Sequence, residues 1–179
     1  MVRNTLTSYG SIAKTFHWLI FFLVLFMLFL GYFMDDVAQE ARGQVYNIHK
    51  LTGLSILVLM ILRLLWTLTN PKPIIPDPKL WERFAAHSVH YFFYFLLIAM
   101  PIAGWIMSSA AGKSPHLFHW MIALPISQSK PTAGLFASIH NTLAIVIIVT
   151  ISLHVLAALY HYYVRKDNVL QRMMPGDSV

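Results

Sequence analysis

The sequence contains no cysteine and few charged residues. Without thiols, the chain cannot form disulfides, thiolate metal sites, iron–sulfur clusters or the covalent attachment of c-type haem. Charged residues account for only 11% of the 179 residues, whereas hydrophobic residues account for 58%. Because soluble globular proteins average about 25% charged residues, this composition indicates a protein that is solvated mainly by lipid.

The scarcity of charge leaves long uncharged runs, four of which can cross a bilayer. A hydrocarbon core about 30 Å thick requires about 20 mostly apolar residues in a helix, since lipid offers no partner for an unpaired backbone group. Arg63 interrupts the second run only near its end, where a long side chain can reach the membrane interface. We predict an all-α fold, an integral membrane four-helix bundle that forms a single domain over residues 1–179. The helices are expected at about 14–34, 47–69, 81–110 and 135–164.

Proline marks the connections between these runs, because it cannot continue a helix. The connection between the second and third helices is expected to be extended and stiff. Its prolines are Pro71, Pro73, Pro76 and Pro78. Residues 114–129 form a shorter uncharged stretch, broken by Pro115 and Pro125, which we interpret as a loop or an interfacial segment. Pro101 within the third helix has two interpretations, a kink that opens space beside a flat cofactor or an ordinary membrane proline.

The positive charges are concentrated on one side of the predicted bundle, which holds the N-terminus, the connection at 63–83 and the C-terminus. That side carries Arg3, Lys14, Arg63, Lys72, Lys79, Arg83, Arg165, Lys166 and Arg172. The other side has basic and acidic residues together, namely Arg42, Lys50, Lys113, Lys130, Asp35, Asp36 and Glu40. The positive-inside rule therefore predicts that both termini are cytoplasmic. Since topology explains the net charge of +6, no nucleic-acid partner is expected.

Two histidines on the fourth helix indicate two separate sites. His140 and His154 are fourteen residues apart, which returns the helix to within about 40° of the same face. They are separated by about 21 Å along the axis, one toward each leaflet. This distance is too great for one shared metal ion, so a cofactor site at each level is predicted.

Each of these histidines has a potential partner at the same depth on another helix. His17 lies on the cytoplasmic side of the first helix, and His49 lies at the outer beginning of the second. The topology therefore predicts the pairs His17/His154 and His49/His140. Two neutral imidazoles facing each other across an interhelical gap suit the iron of a haem, and Gly53, one turn after His49, would leave room for it.

Other interpretations of these histidines are open. They could be isolated side chains that are hydrogen-bonded within the bundle, or parts of a proton or metal pathway in a protein without redox activity. Methionine could replace histidine as a ligand. A zinc or di-iron site is disfavoured because the spans contain no carboxylate ligand and the histidines do not converge on one point.

Three further histidines are candidates for a quinone site. His87 and His90 begin the third helix on one face, and His161 follows His154 by one heptad. A quinone head group requires hydrogen-bond donors and a proton path, and interfacial histidines supply both at neutral pH. Alternatively, these are ordinary interfacial residues.

With these residues identified, the chain resembles the bacterial cytochrome b561 family over nearly its whole length. The resemblance is carried by Phe16-His17-Trp18, Ile48-His49-Lys50, His140, His154, His161, Lys166-Asp167-Asn168 and Arg172-Met173-Met174-Pro175, the tail being the most specific part. It implies a multi-pass protein of the bacterial inner membrane that binds two haem b groups through His17, His49, His140 and His154. The plan is related to the di-haem membrane subunits of hydrogenases and formate dehydrogenases.

Within the family the chain is similar to the superoxide oxidase type. The resemblance implies a quinone-reducing oxidoreductase that transfers electrons from superoxide at the periplasmic face to ubiquinone. Basic residues predicted on the outer side would attract the anion, although the acidic residues there oppose this. These basic residues are Arg42, Lys50, Lys113 and Lys130, with His116 and His119 nearby. The alternative is a quinone-linked electron-transfer anchor for a periplasmic dehydrogenase or cytochrome.

Overall fold

The computed structural model describes residues 1–74 and 80–176. Four α-helices dominate it: α1 (Ser11–Phe33), α2 (Gln39–Thr69), α3 (Leu80–Ala110) and α4 (Lys130–Tyr160), and a π-helical turn (His161–Arg165) extends α4. Each helix is long and apolar enough to cross a membrane. The predicted four-helix membrane bundle is therefore confirmed. Pro76, Pro78 and Lys79, which the sequence analysis placed on the inner connection, lie outside the described residues.

Two helices, α2 and α4, begin five or more residues earlier than the hydrophobic runs indicated. α2 begins at Gln39 rather than at 47, because residues 39–46 contain no proline and place Glu40 in the first turn, where a negative charge is favourable. α4 begins at Lys130 rather than at 135, since Ser129 caps it by accepting a hydrogen bond from the Thr132 backbone N–H at 3.3 Å. Both additions are polar turns of helix beyond the apolar segment.

The stretch at 114–129 contains a short hairpin rather than only loop. Strands β1 (His116–Leu117) and β2 (Trp120–Met121) pair antiparallel, and Phe118 in the turn between them has a φ of 53°. The Asn47 side chain accepts a hydrogen bond from the His116 backbone N–H, and the Trp105 indole donates to the Ile122 carbonyl. These contacts fix the hairpin to the ends of α2 and α3.

Helix packing leaves space inside the bundle. In the described part of the chain, three pairs of helices make extensive contacts. These pairs are α3 with α4, α2 with α3, and α1 with α2. α1 and α4 thus lie on either side of a gap. A compact apolar cluster fills the middle of the bundle and consists of Ile20, Val24, Ile56, Met60, Leu96, Leu97 and Ile147. On α4 the cluster residue Ile147 lies midway between His140 and His154, so the cluster separates the two histidine levels.

The N-terminal segment and the C-terminal tail as far as Gly176 lie at the same end of the bundle. The Lys14 ammonium donates to the Gly176 carbonyl, and the Trp18 indole donates to the Met173 carbonyl at 2.8 Å. The Arg172 guanidinium donates to the carbonyl of Ile74, on the connection between α2 and α3. These bonds hold the C-terminal tail against α1 and that connection.

Candidate functional site

The structure brings the predicted histidine pairs together at two levels. At the level near the chain ends, the rings of His17 on α1 and His154 on α4 have centroids 6.2 Å apart and planes 59° apart. At the other level, His49 on α2 and His140 on α4 have centroids 6.2 Å apart and planes 58° apart. The two pairs therefore have nearly the same geometry although they involve different helices.

This separation fits a single metal atom held between two imidazoles. An imidazole nitrogen binds a first-row metal at about 2.0–2.1 Å, and it lies about 1.1 Å from its own ring centre, so two rings facing one metal have centroids roughly 6.3 Å apart. Two imidazoles that are hydrogen-bonded to each other or stacked do not require a centroid separation of this size. Among the described residues, no group of three or more His, Asp or Glu side chains converges as a metal site would require. The paired geometry therefore fits the iron of a haem, whose other four ligands come from the porphyrin.

Glycines make room for the histidines of the second level. A Cβ at Gly104 on α3 would lie 3.1 Å from both Cδ2 and Nε2 of His140, and one at Gly31 on α1 would lie 3.3 Å from Cε1 of His49. At Gly53, which the sequence analysis expects to leave room for the haem, an added Cβ would lie 3.7 Å from the Cε of Met27 and would contact neither imidazole. Gly31 and Gly104 were missed because sequence spacing along α2 does not show which faces of α1 and α3 meet the imidazoles.

A cavity of about 740 Å³ opens beside His17 and His154. Its size lies within the range of about 300–1,000 Å³ that small-molecule and cofactor sites occupy. Apolar residues such as Ile20, Phe93 and Leu97 line its deeper part, and residues of the N-terminal segment, the inner connection and the C-terminal tail line its mouth. The cavity therefore joins the His17/His154 pair to the surface formed by these three segments.

Arg63 points into this cavity and not simply out to the membrane interface. Its Nη2 lies 3.2 Å from Nδ1 of His17, and the side chain is half-buried. Trp66, one turn further along α2, also lines the cavity, and its indole N–H is buried without a hydrogen-bond partner among the described residues. Arg63 was not identified from the sequence as a neighbour of His17, since spacing along α2 does not show which residues of α1 it meets.

The three quinone-site candidates occupy different positions. His87 and His90 line the cavity, and the ring of His90 lies 5.8 Å from that of His154. His161 is instead paired with Asp167, its Nδ1 lying 2.6 Å from the carboxylate Oδ2. The heptad spacing placed His161 with His154, but the Asp167 carboxylate beyond the π-helical turn pairs with the His161 imidazole.

The opposite end of the bundle carries polar and cationic groups near His49. The Lys50 ammonium donates to the Lys113 carbonyl at 2.6 Å, and Asn47 contacts the backbone of His116 through both its amide nitrogen and its oxygen. Lys50 follows His49 directly in α2. Tyr46 donates a hydrogen bond to the Asp35 carboxylate nearby, so positive and negative groups are mixed on this surface.

The amino-acid sequence matches the family model described as prokaryotic cytochrome b561 over residues 8–176. The chain belongs to the prokaryotic cytochrome b561 family. It is 30% identical to cytochrome b561 homolog 2 of Escherichia coli K12, covering 98% of this chain and 95% of the relative. It is 34% identical to the probable superoxide oxidase CybB of Yersinia pestis, covering 94% and 96% of the two chains. The chain is also 30% identical to cytochrome b562 of Cereibacter sphaeroides, covering 93% of this chain and 95% of the relative.

Membership in the cytochrome b561 family establishes the general role of the chain. It is a multi-pass protein of the bacterial inner membrane that takes part in electron transfer. A b-type cytochrome implies haem b, and the two histidine pairs described above fit that group. The cofactor is non-covalently held, because the sequence contains no cysteine.

Proposed function

We propose that the chain is a di-haem cytochrome b that transfers electrons from superoxide at the periplasmic face to ubiquinone. His17 and His154 hold the inner haem, and His49 and His140 hold the outer one. The observation that carries this proposal is the repeated 6.2 Å ring separation at two levels of one bundle. When bound, the haems supply two one-electron centres, which neither the aromatic nor the methionine side chains of the chain provide.

The orientation that we propose places both termini in the cytoplasm. The tail, the start of α1 and the inner connection meet at one end, where most of the basic residues lie. The positive-inside rule assigns such an end to the cytoplasm. The cavity beside His154 then opens toward the cytoplasm, and His49 and the hairpin lie on the periplasmic side.

At the periplasmic end, the chain's part is to guide and admit a small anion. Lys50 and Lys113 lie beside His49 and contribute a local positive potential, which raises the encounter rate of a negatively charged substrate. Oxidation of superoxide to dioxygen releases one electron and neither takes up nor releases a proton. This end consequently requires neither a nucleophile nor a general base.

At the cytoplasmic end, the chain supplies a pocket and protons. Ubiquinone takes up two electrons and two protons to form ubiquinol, so two superoxide ions are consumed for each quinone. His87 is the proposed proton-exchanging residue, because its Nδ1 is 2.7 Å from the Arg83 carbonyl and donates to it. This bond leaves Nε2 free to exchange a proton. His90 is closer to the inner histidine pair and is proposed as a secondary contact.

The test is turnover by the pure protein in detergent or liposomes. Superoxide generated at a steady rate should disappear faster when ubiquinone is present, and ubiquinol should form at half the molar amount of the superoxide consumed. Heat-denatured protein and a His49→Ala/His154→Ala double variant are the controls. Absence of quinone-dependent superoxide loss in protein that contains both haems would exclude this substrate.

The second candidate is an electron-transfer anchor that serves a periplasmic dehydrogenase or cytochrome. It is favoured by the hairpin, where Phe118, Trp120 and Met121 are exposed next to the outer end of α2. Exposed aromatic side chains of this kind suit a protein partner. This function predicts slow superoxide turnover by the isolated protein, and rapid reduction of its haems only when the partner is added.

A further inference from the structure

Arg63 is a permanent cation in an apolar setting. It lies on the last third of α2, is half-buried and lines the cavity beside the inner histidine pair. An arginine stays protonated in proteins, and a guanidinium surrounded by apolar groups requires acceptors. In the described part of the chain, the ion pairs are Glu82 with Arg165 and Asp167 with His161, and neither includes Arg63.

The contact between Arg63 and His17 is incompatible with iron binding through Nε2 of that histidine. Arginine only donates hydrogen bonds, so Nη2 at 3.2 Å requires a lone pair on Nδ1. A neutral imidazole with a lone pair on Nδ1 carries its proton on Nε2, the nitrogen that would face the metal. Ligation by Nε2 places the proton on Nδ1 instead, and Arg63 then needs a different acceptor.

A second donor on the same face of α2 points to the nature of that acceptor. Trp66 follows Arg63 by three residues, so the two side chains lie on one face. The Trp66 indole N–H is buried and has no partner among the described residues, although an indole can only donate. A cation whose acceptors are neutral and an indole N–H without a partner among the described residues therefore line the same wall of the cavity.

The neighbouring groups are neutral. Tyr94 accepts a hydrogen bond from the Arg63 side chain and shares one with the Thr67 hydroxyl at 2.8 Å, and Thr67 itself donates to the Arg63 carbonyl. Tyr9 also lines the cavity, and burial raises its pKa, so its phenol remains protonated. A cation, an unpaired indole N–H and neutral phenols together form a site for an anion with two or more acceptor oxygens.

We propose that Arg63 and Trp66 bind a propionate carboxylate of the haem held by His17 and His154. This inference rests on the proposed function, because it requires haem at the inner histidine pair. A porphyrin of the haem b type carries its carboxylates on one edge, and a guanidinium can bind a carboxylate through two parallel hydrogen bonds. Arg63 is thus a positioning residue that fixes the rotation of the macrocycle in the cavity.

The experiment compares haem b with its dimethyl ester, which lacks the carboxylates. Full-length protein without haem is titrated with each compound in the His49→Ala background, which by the proposal retains the inner site alone. We expect the free acid to bind at least about tenfold more tightly than the ester, since hydrogen bonds to charged groups contribute strongly. In the Arg63→Met variant, the two compounds should bind equally within about twofold.

Matched variants keep the result interpretable. Arg42→Met removes the same residue type from the opposite end of α2, and the preference for the free acid should remain. Arg63→Lys should retain part of the preference, because it keeps the charge but loses the two-bond geometry. If Arg63→Met does not fold, Trp66→Phe serves in its place and should lower the preference by a few fold.

Different failures have different meanings. Equal binding of acid and ester by the protein with Arg63 intact would overturn the propionate site while leaving the haem proposal in place. An undiminished preference in Arg63→Met would also overturn it, because another group would then hold the carboxylate. If the His49→Ala protein binds no haem, or binds two, the underlying ligand assignment is wrong.

Discussion

Replacing Gly104 with alanine should weaken haem binding at the outer site. The new Cβ would lie 3.1 Å from Cδ2 and Nε2 of His140, whereas packed carbon atoms approach to about 3.5–4.0 Å. α3 and α4 pack extensively against each other, so the imidazole and not the helices must move, by about half an ångström. Cδ2 and Nε2 belong to the imidazole that the proposal assigns to the outer haem, so this shift displaces a proposed ligand.

The size of the effect follows from the cost of overpacking. An extra methyl group in a well-packed interior typically costs about 1–3 kcal/mol. If the free energy of binding at the outer site becomes less favourable by this amount, the outer haem is bound roughly 5- to 150-fold more weakly. Gly31→Ala should have a smaller effect, because its Cβ would lie 3.3 Å from a single carbon of His49.

The assay is a haem titration of the protein without haem, together with the haem-to-protein ratio after purification. Gly43→Ala and Gly134→Ala are matched controls on α2 and α4, since a Cβ at either position meets nothing within 4 Å. Alanine at these helical positions should leave haem binding unchanged and stabilise the helix by about 0.5–1 kcal/mol. A Gly104→Ala protein with unaltered outer haem affinity would refute the placement of His140 against α3.

The remaining predictions concern the two ends of the electron path. His87→Ala should slow ubiquinone reduction more than His161→Ala, because His87 lines the cavity whereas His161 is paired with Asp167. Steady-state quinone assays on variants that retain both haems measure the two rates. A larger loss in His161→Ala would exclude His87. Superoxide oxidation should slow as ionic strength rises from about 0.01 M to 0.5 M, because salt screens the potential of exposed cations. Lys113→Gln should lower the rate at low salt and flatten this dependence, and a rate that does not change with salt would contradict electrostatic guidance.

The fold could be predicted from the sequence to the extent that hydrophobicity determines it. Four long apolar runs correspond to four helices that are long and apolar enough to span a membrane, because a helix satisfies all backbone hydrogen bonds within its own segment. The beginnings of α2 and α4 were predicted too late in the sequence. Beyond the membrane, helix length depends on caps such as Ser129 and on the absence of proline, and hydropathy does not report these.

The candidate site was only partly accessible from the sequence. Depth along each helix is fixed by residue number and topology, which is why His17 could be matched with His154 and His49 with His140. Rotation of one helix against another is not fixed in this way. The glycines that contact the imidazoles, and the direction of Arg63 into the cavity, depend on that rotation and required the three-dimensional structure.

The most direct test of the account is the number of haem groups per chain. Protein expressed with ample haem and purified in detergent should give a reduced-minus-oxidised spectrum of a b-type cytochrome and close to two haems per polypeptide. His154→Ala and His49→Ala should each retain about one, because each removes a ligand from a different pair. Colourless wild-type protein, or single variants that both retain two haems, would contradict the account.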